Sequence, residues 1–285
     1  MRARWGLFLV IPFAVSVLLL VGSQGVFLQG SLFRDLGLGR FGRELTLANY
    51  LRVFGDPFYL GSLRLTIEIS AMTAALTLIL AFPVAYVLAR MRSRWALVLL
   101  AAVTISSFVS VIIKTLGLIV LFSGKGPINR ALLGLGLVAE PVTIFGSPTG
   151  VVVGLMHYTL GFGVLLLFSV IQTIPRSVEE AAQVHGAGRR RVFLRVVLPL
   201  ALPGVVATAL VVFNLCMGAF TSAAVLGKGK VLTLPVLIYR TILLEVRYGM
   251  GGTLAAVLLV SVLLINVLSL VVLARLHAAR RLVVA

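Results

Sequence analysis

Six stretches of this 285-residue chain are long and apolar enough to cross a lipid bilayer as helices. A spanning helix needs about 20 mostly apolar residues, because its backbone polar groups must find hydrogen-bond partners within the segment itself. The composition agrees, since 60% of the residues are hydrophobic and 12% are charged, against about 25% charged in a soluble domain. We therefore predict an all-α integral membrane protein with six transmembrane helices, at residues 7–28, 66–89, 95–122, 149–171, 200–226 and 253–274.

The first apolar stretch has two interpretations. Arg2 and Arg4 precede a Leu- and Val-rich core that ends near Ser23, an order that is also typical of a cleavable signal peptide. The stretch continues through Leu28, which is longer than a usual signal core, and five further spans follow. We favour an uncleaved helix, and the signal peptide stays as the alternative.

The positions of the basic residues predict how the spans are oriented. With the amino terminus inside, the cytoplasmic segments carry thirteen arginines, and the longer outer segments carry eleven basic residues. Arg90, Arg92 and Arg94 directly adjoin a span, where the rule that cytoplasmic loops are basic is strongest. Both termini are therefore expected in the cytoplasm. The net charge of +17 falls in short clusters between apolar runs, so we expect lipid contact and no nucleic-acid partner.

Few residues suit catalytic or metal chemistry. Cys216 is the single cysteine, which excludes an internal disulfide and a cysteine-rich metal cluster. A phosphate-binding loop of the form G-x-x-x-x-G-K-[ST] is absent from the sequence, so the chain is expected to bind neither ATP nor Mg²⁺ itself. An intramembrane protease would need a serine and a histidine brought together in the spans, but His157 is the one histidine there and no glycine-flanked serine turn accompanies it. We predict no catalytic residue, metal site or cofactor in this chain.

The cytoplasmic segment between the fourth and fifth predicted spans has the most distinctive residue order. It predicts two short helices joined at a glycine. Ser177 is the expected cap of the first helix, and Glu180 lies in its first turn, where the helix dipole favours an anion. Gly186 or Gly188 would end this helix in a left-handed conformation, and Pro199 and Pro203 would bound the passage of the second helix into the next span. The alternative is an ordinary basic loop on the cytoplasmic side.

This segment resembles the EAA loop of permease subunits in binding-protein-dependent ATP-binding cassette (ABC) importers, whose pattern is EAA-x3-G-x9-I-x-LP. The matching residues are 180–182, Gly186, Val196 and 198–199, and Val196 replaces the isoleucine. Three further motifs resemble the spermidine/putrescine branch of that family: Leu47-Ala48-Asn49-Tyr50, Gly124-Lys125-Gly126-Pro127-Ile128-Asn129 and Ser147-Pro148-Thr149.

The resemblance implies a type I importer fold, in which five core helices follow an accessory first helix. Residues 1–60 would hold the accessory helix and an external segment, and residues 61–275 the permease core with its EAA loop at 174–203. Residues 276–285 would form a cytoplasmic basic tail. The EAA loop would form a coupling helix that contacts a cytoplasmic ATPase, through Glu179, Glu180, Ala181, Ala182, Gly186, Phe193, Leu198 and Pro199.

The same resemblance implies the function and the partners. The chain would form half of a translocation pore for a small solute, polyamine-like or otherwise small and charged, in the cytoplasmic (inner) membrane of a bacterium. Its expected partners are two ATPase subunits, which bind ATP and Mg²⁺, a second permease that is a paralogue, and a periplasmic or lipid-anchored binding protein. A free-standing secondary carrier and an intramembrane protease are the alternatives, but a carrier would usually show an inverted repeat or acidic coupling residues.

Polar residues inside the spans are candidates for the translocation path, because burying them in lipid is costly. Glu68 and Lys114 are ionisable and would be able to pair with each other, and the alternative is that each extends its charge to the membrane surface or lies near the end of its span. Each of the uncharged candidates would equally serve as an interhelical hydrogen-bonding group. These candidates are Tyr158, Asn214, Thr221 and Ser222.

The outer loop between the fifth and sixth predicted spans carries Lys228, Lys230 and Arg240. We expect these side chains to dock an acidic rim of the binding protein. Contact with anionic lipid headgroups is the alternative.

Overall fold

Long apolar helices dominate the fold of the computed structural model, which describes residues 5–284 and the side chains of residues 10–271. Arg2, Arg4 and the basic side chains of the tail, which the predicted orientation uses, lie outside the described side chains. Five helices among the described residues have the length and composition of membrane spans, and a sixth span is obtained if one bent helix pair is counted as a single crossing. The six predicted spans are found on that count.

The helices and strands follow one another in this order: α1 Trp5–Ser31, β1 Phe33–Asp35, β2 Phe41–Leu45, α2 Ala48–Gly55, α3 Pro57–Arg90, α4 Trp95–Phe108, α5 Val111–Leu121, α6 Pro127–Gly134, α7 Pro148–Gln172, α8 Arg176–Val184, α9 Arg189–Val192, α10 Leu198–Met217, α11 Thr221–Leu226, α12 Leu234–Tyr239 and α13 Tyr248–Val284. A π-helical turn, Phe193–Val197, joins α9 to α10, and a second one, Arg240–Leu244, follows α12.

The third predicted span is not one straight helix, because α4 and α5 meet at an angle of 97°. Val109 is extended, with φ −63° and ψ 134°. The Ser110 hydroxyl then accepts a hydrogen bond from the Ile112 amide at 3.3 Å, which caps the start of α5. A serine cap inside an apolar run therefore starts a new helix where the sequence predicts continuity. The fifth span also ends earlier than predicted, at Met217, and Thr221 starts the separate α11.

One compact unit comprises the residues up to Arg64 together with Thr233–Leu264. The segment after α1 contains an antiparallel hairpin of β1 and β2, with Phe33 opposite Leu45, which the sequence does not predict. The Asp35 side chain accepts hydrogen bonds from the amides of Gly37 and Met250, both at 2.8 Å. The Asp35 carboxylate thus joins the β1–β2 hairpin to the amino terminus of α13, where the helix dipole favours a negative charge.

The other unit comprises Leu65–Leu232 and the residues from Ile265 onward. Helix α7 packs against α4, α5, α10 and α11 within it. Glycines allow the close approach, since a methyl group added at Gly204 would lie 2.3 Å from a Val170 side-chain carbon, and one at Gly161 would lie 2.1 Å from the Ser107 hydroxyl oxygen. Small residues at such crossings are typical of membrane helix packing. The predicted divisions at residues 60 and 275 stay predictions.

Candidate functional site

The segment that carries the EAA-like residues folds as the predicted helical hairpin. Helix α8 ends at Val184 with His185 as its C-cap, and Gly186 follows with φ +81°. The Gly186 amide donates to the Gln183 carbonyl at 2.9 Å, and the Ala187 amide donates to the Ala182 carbonyl at 3.0 Å. These two bonds are the Schellman pattern, which satisfies the last carbonyls of a helix and requires a left-handed residue. The predicted positive φ at Gly186 is confirmed.

Two details of the predicted hairpin are wrong. Helix α8 begins at Arg176, directly after Pro175, so Ser177 lies inside the helix and does not cap it. The second helix passes into the next span without a break at Pro199 or Pro203, because residues Arg189–Met217 form one continuous helical segment. The π turn explains the continuity: the Leu198 amide bonds to the carbonyl of Phe193, five residues earlier, just before the proline that has no amide hydrogen to donate.

The predicted coupling residues divide between two faces of this hairpin. Those on the outer face, exposed to the surroundings of the chain, are Glu180, Ala181, Gly186 and Pro199. Those turned toward the rest of the unit, buried or half-buried, are Glu179, Ala182, Phe193 and Leu198. A partner subunit is therefore able to reach the first group directly, whereas the second group contacts this chain.

The inward-facing Glu179 forms the most extensive polar contact of the hairpin. Glu179 is 7% exposed, and its carboxylate accepts a hydrogen bond from the Tyr86 hydroxyl at 2.8 Å. The Arg90 guanidinium donates from Nε to the other carboxylate oxygen at 2.6 Å, and its Nη2 forms an ion pair with the same oxygen at 2.5 Å. A buried charge needs such charge-assisted partners, because desolvating it without them costs several kcal/mol. We call this group of three side chains the Glu179 clamp.

Two further bonds join the hairpin to the carboxyl-terminal end of α3. Arg90 donates from Nη2 to the Ile174 carbonyl at 3.0 Å. In the opposite direction, Arg176 donates from Nη2 to the Ala89 carbonyl at 3.2 Å. The last carbonyls of a helix lack partners within the helix and carry partial negative charge, so a guanidinium is a favourable partner for them.

The second arm of the hairpin contacts the same end of α3 through an aromatic cluster. The Phe193 ring meets the rings of Phe82 and Tyr86 edge to face, with centroid distances of 5.5 and 5.2 Å. Val192 and Val197, on either side of Phe193, are fully buried in the same apolar core. Edge-to-face pairs add to the free energy of apolar burial, so this arm is firmly packed.

Sequence reasoning missed Tyr86, Arg90 and Arg176 as members of this site. Arg90 and Arg176 were explained fully by membrane topology, and Tyr86 belongs to no pattern in the sequence. The only available signal is that Glu179 needs a basic partner if its side chain is buried.

The two ionisable path candidates do not pair with each other. Lys114 is 7% exposed, and among the described side chains no acidic group forms an ion pair with it. Glu68 is exposed on α3 and interacts elsewhere. The pairing that the sequence allows is therefore not formed among the described side chains, and the role of either residue in the path stays a prediction.

The uncharged path candidates have different surroundings. Asn214 on α10 exchanges two amide hydrogen bonds with Asn266 on α13, both at 3.0 Å. Ser222 on α11 is 1% exposed, and its hydroxyl has no hydrogen-bond partner among the described residues. The half-buried Tyr158 packs against the Phe162 ring, and Thr221 starts α11. Asn214 thus forms the interhelical hydrogen bond that was the alternative to a role in the translocation path.

A cavity of about 450 Å³ lies between α3, α4 and α7, and its walls are mostly apolar with His157 at one edge. None of the predicted path residues lines it. Among the described residues, no three histidine, cysteine, aspartate or glutamate side chains lie close enough together to hold a metal ion.

The predicted docking residues belong to two different units. Lys228 has φ +45°, and its ammonium lies 5.2 Å from the centre of the Phe145 ring. Lys230 is exposed in the same loop, near Gly146. Arg240 lies in the π turn after α12, in the unit that contains the amino-terminal segment.

Residues 81–282 match the family model of the inner membrane component of binding-protein-dependent transport systems. The chain belongs to this family. The matched region includes the hairpin and the carboxyl-terminal end of α3, and membership does not favour the carrier or protease alternatives.

Relatives within the family agree with this membership. The spermidine/putrescine transport system permease protein PotB of Salmonella typhimurium is 32% identical over 185 residues, which are 65% of this chain and 64% of the relative. The match thus spans slightly less than two thirds of that relative's length. PotB of Haemophilus influenzae is 29% identical over 229 residues, which are 80% of this chain and 79% of the relative.

The fold also matches a solved structure. A chain in the crystal structure of a bacterial alginate ABC transporter, in complex with alginate pentasaccharide-bound periplasmic protein, superposes with a TM-score of 0.78. The superposition covers 94% of this chain and 93% of that chain at 17% sequence identity. The predicted type I importer permease fold is confirmed.

Proposed function

We propose that this chain is one permease subunit of an ATP-driven importer, in which it forms half of the translocation pore for a small solute. The observation that carries the proposal is the ordered hairpin, whose outer face presents Glu180 and Ala181 while its inner face is bonded to α3. A helix with an exposed polar face and a fixed base provides a rigid docking element for another subunit.

The partner on the cytoplasmic side is a pair of ATPase subunits, which supply the ATP and Mg²⁺ sites that this chain lacks. The outward-facing Glu180, Ala181 and Gly186 are the proposed contacts with one of them. The inward-facing members of the predicted set support the hairpin from behind. The chain itself is a pore-forming subunit and hydrolyses no ATP in this proposal.

The proposed solute is polyamine-like or a related small charged compound, because the relatives are named for spermidine and putrescine transport. Glu68 is the one acidic side chain in the predicted spans. We therefore assign selection of a cationic solute mainly to the binding protein, which would be periplasmic or lipid-anchored. A paralogous second permease completes the pore, and the complex lies in the bacterial inner membrane with both termini of this chain in the cytoplasm.

The proposal is tested by purifying the tagged chain from its native membranes under mild detergent conditions and identifying the proteins that accompany it. A nucleotide-binding subunit is expected in the wild-type complex, and Glu180→Ala is expected to reduce its amount at unchanged expression. Purification of the wild-type chain without any ATPase, together with solute uptake that does not need ATP, would refute the importer role and favour a carrier.

A further inference from the structure

The geometry points to a positioning role for Glu179: we propose that the Glu179 clamp fastens the hairpin to α3, so that a movement of the hairpin is passed to this helix. The inference rests on the proposed function, because it concerns how ATPase docking at the hairpin reaches the membrane spans. It gives Glu179 a task inside this chain, whereas its neighbour Glu180 faces outward.

The burial of the two glutamates separates their tasks. Glu179 is 7% exposed and its two carboxylate oxygens accept bonds from Tyr86 and Arg90. Glu180, the next residue, is exposed. Successive side chains on a helix point about 100° apart, so one of them is able to face the protein while the other faces a partner. An ATPase docked on the outer face would therefore reach Glu180 without disturbing the clamp.

The contacts of the hairpin with α3 come from both of its arms. The first arm is attached by the clamp and by the Arg176 bond to the Ala89 carbonyl. The second arm is attached by Phe193, whose ring lies against Phe82 and Tyr86. All of these attachments fall within the last two and a half turns of α3, so the hairpin is joined to one short rigid stretch of helix. Tyr86 takes part in both attachments.

Helix α3 is able to carry a displacement further into the membrane. Its Thr77 hydroxyl is hydrogen-bonded to the Thr159 hydroxyl of α7 at 3.0 Å, with both residues fully buried. Energetic coupling between distant sites needs such contiguous contacts between rigid elements. The clamp is therefore the first bond in a continuous series from the hairpin through α3 to α7, the helix around which α4, α5, α10 and α11 pack.

The first test uses the chain without any partner and measures whether the hairpin stays seated. Val192 is 1% exposed, so Val192→Cys in a Cys216→Ser background reports the opening of the hairpin through its rate of maleimide labelling in membrane vesicles. Glu179→Gln and Arg90→Gln are each expected to speed labelling, on the order of tenfold, because each leaves a buried charged group without its partner. The matched variant Glu180→Gln should leave the rate unchanged.

The second test uses the reconstituted complex and separates positioning from ATPase binding. Glu179→Gln and Arg90→Gln should retain the ATPase subunit but lower the amount of solute imported per ATP hydrolysed. The double variant Glu179→Gln/Arg90→Gln should import no less solute per ATP than the poorer of the two single variants, since both substitutions remove the same bond. Glu179→Asp keeps the charge and should therefore import more solute per ATP than Glu179→Gln. Tyr86→Phe keeps the ring and should lower the solute imported per ATP less than Glu179→Gln does.

Three results would overturn the inference. They are unchanged labelling of Val192→Cys in both clamp variants, additive losses in the double variant, and loss of the ATPase subunit from Glu179→Gln to the same extent as from Glu180→Gln. Failure of the proposed function looks different, because a wild-type chain that binds no ATPase would leave the labelling result intact.

Discussion

Replacing Gly186 should weaken the hairpin through backbone strain, without a steric clash. Gly186 has φ +81°, and a methyl group added to it would meet no atom within 4 Å. The cost for alanine is therefore the cost of a left-handed L-residue, about 1–2 kcal/mol, which corresponds to about 5- to 30-fold in the fraction of correctly formed hairpin. Valine should cost more, because a β-branched side chain is poorly tolerated at positive φ.

The chain offers a matched control two residues later. Gly188 has φ −63° and ψ 159°, a conformation open to any residue, and an added methyl group there also meets nothing within 4 Å. Gly188→Ala should thus change the stability of the hairpin by no more than about 0.5 kcal/mol. The two variants differ in backbone conformation and share an open environment.

The assay compares these variants with the wild type in proteoliposomes at matched protein levels. Gly186→Ala, and more strongly Gly186→Val, should reduce ATPase association and the stimulation of ATP hydrolysis by the binding protein, while the spans insert normally and Gly188→Ala behaves as wild type. Equal behaviour of Gly186→Ala and Gly188→Ala in both measurements would refute the reasoning from the left-handed turn.

Three other predictions concern packing, topology and docking. Gly204→Ala should lower the melting temperature in detergent, because the new methyl group would lie within 3.0 Å of three Val170 side-chain atoms, whereas Gly117→Ala, in open space, should not; equal melting temperatures would contradict this packing argument. Cysteine labelling should place residue 180 in the cytoplasm and residues 45 and 240 outside, and labelling of residue 180 from outside would reverse the topology. Reversing the charges of Lys228, Lys230 and Arg240 together should weaken the affinity for the binding protein and reduce the salt dependence of that affinity. Unchanged affinity and salt dependence would leave lipid contact as the role of these residues.

The features predicted correctly from the sequence are those set by local composition. Apolar length alone indicates the spans, because the bilayer imposes it. The left-handed turn at Gly186 was also predictable, since the glycine follows a short helix that needs its last carbonyls satisfied. These signals depend on neighbouring residues and need no knowledge of tertiary structure.

The missed features depend on contacts between distant parts of the chain. Glu179 and Glu180 are adjacent and chemically identical, and only the position of α3 decides which of them is buried. The amide pair of Asn214 and Asn266 joins two helices 52 residues apart in sequence. The break at Ser110 is local, but a single serine in an apolar run is as compatible with a continuous helix as with a cap.

The chain's central role as an importer permease is tested most directly by reconstitution. The chain, the ATPase that purifies with it, the second permease and the binding protein would be placed in proteoliposomes, and ATP hydrolysis and solute uptake would be measured together. We predict hydrolysis that the loaded binding protein stimulates and uptake that stops without ATP. Uptake that continues at the same rate without ATP or without the ATPase subunit would contradict the account.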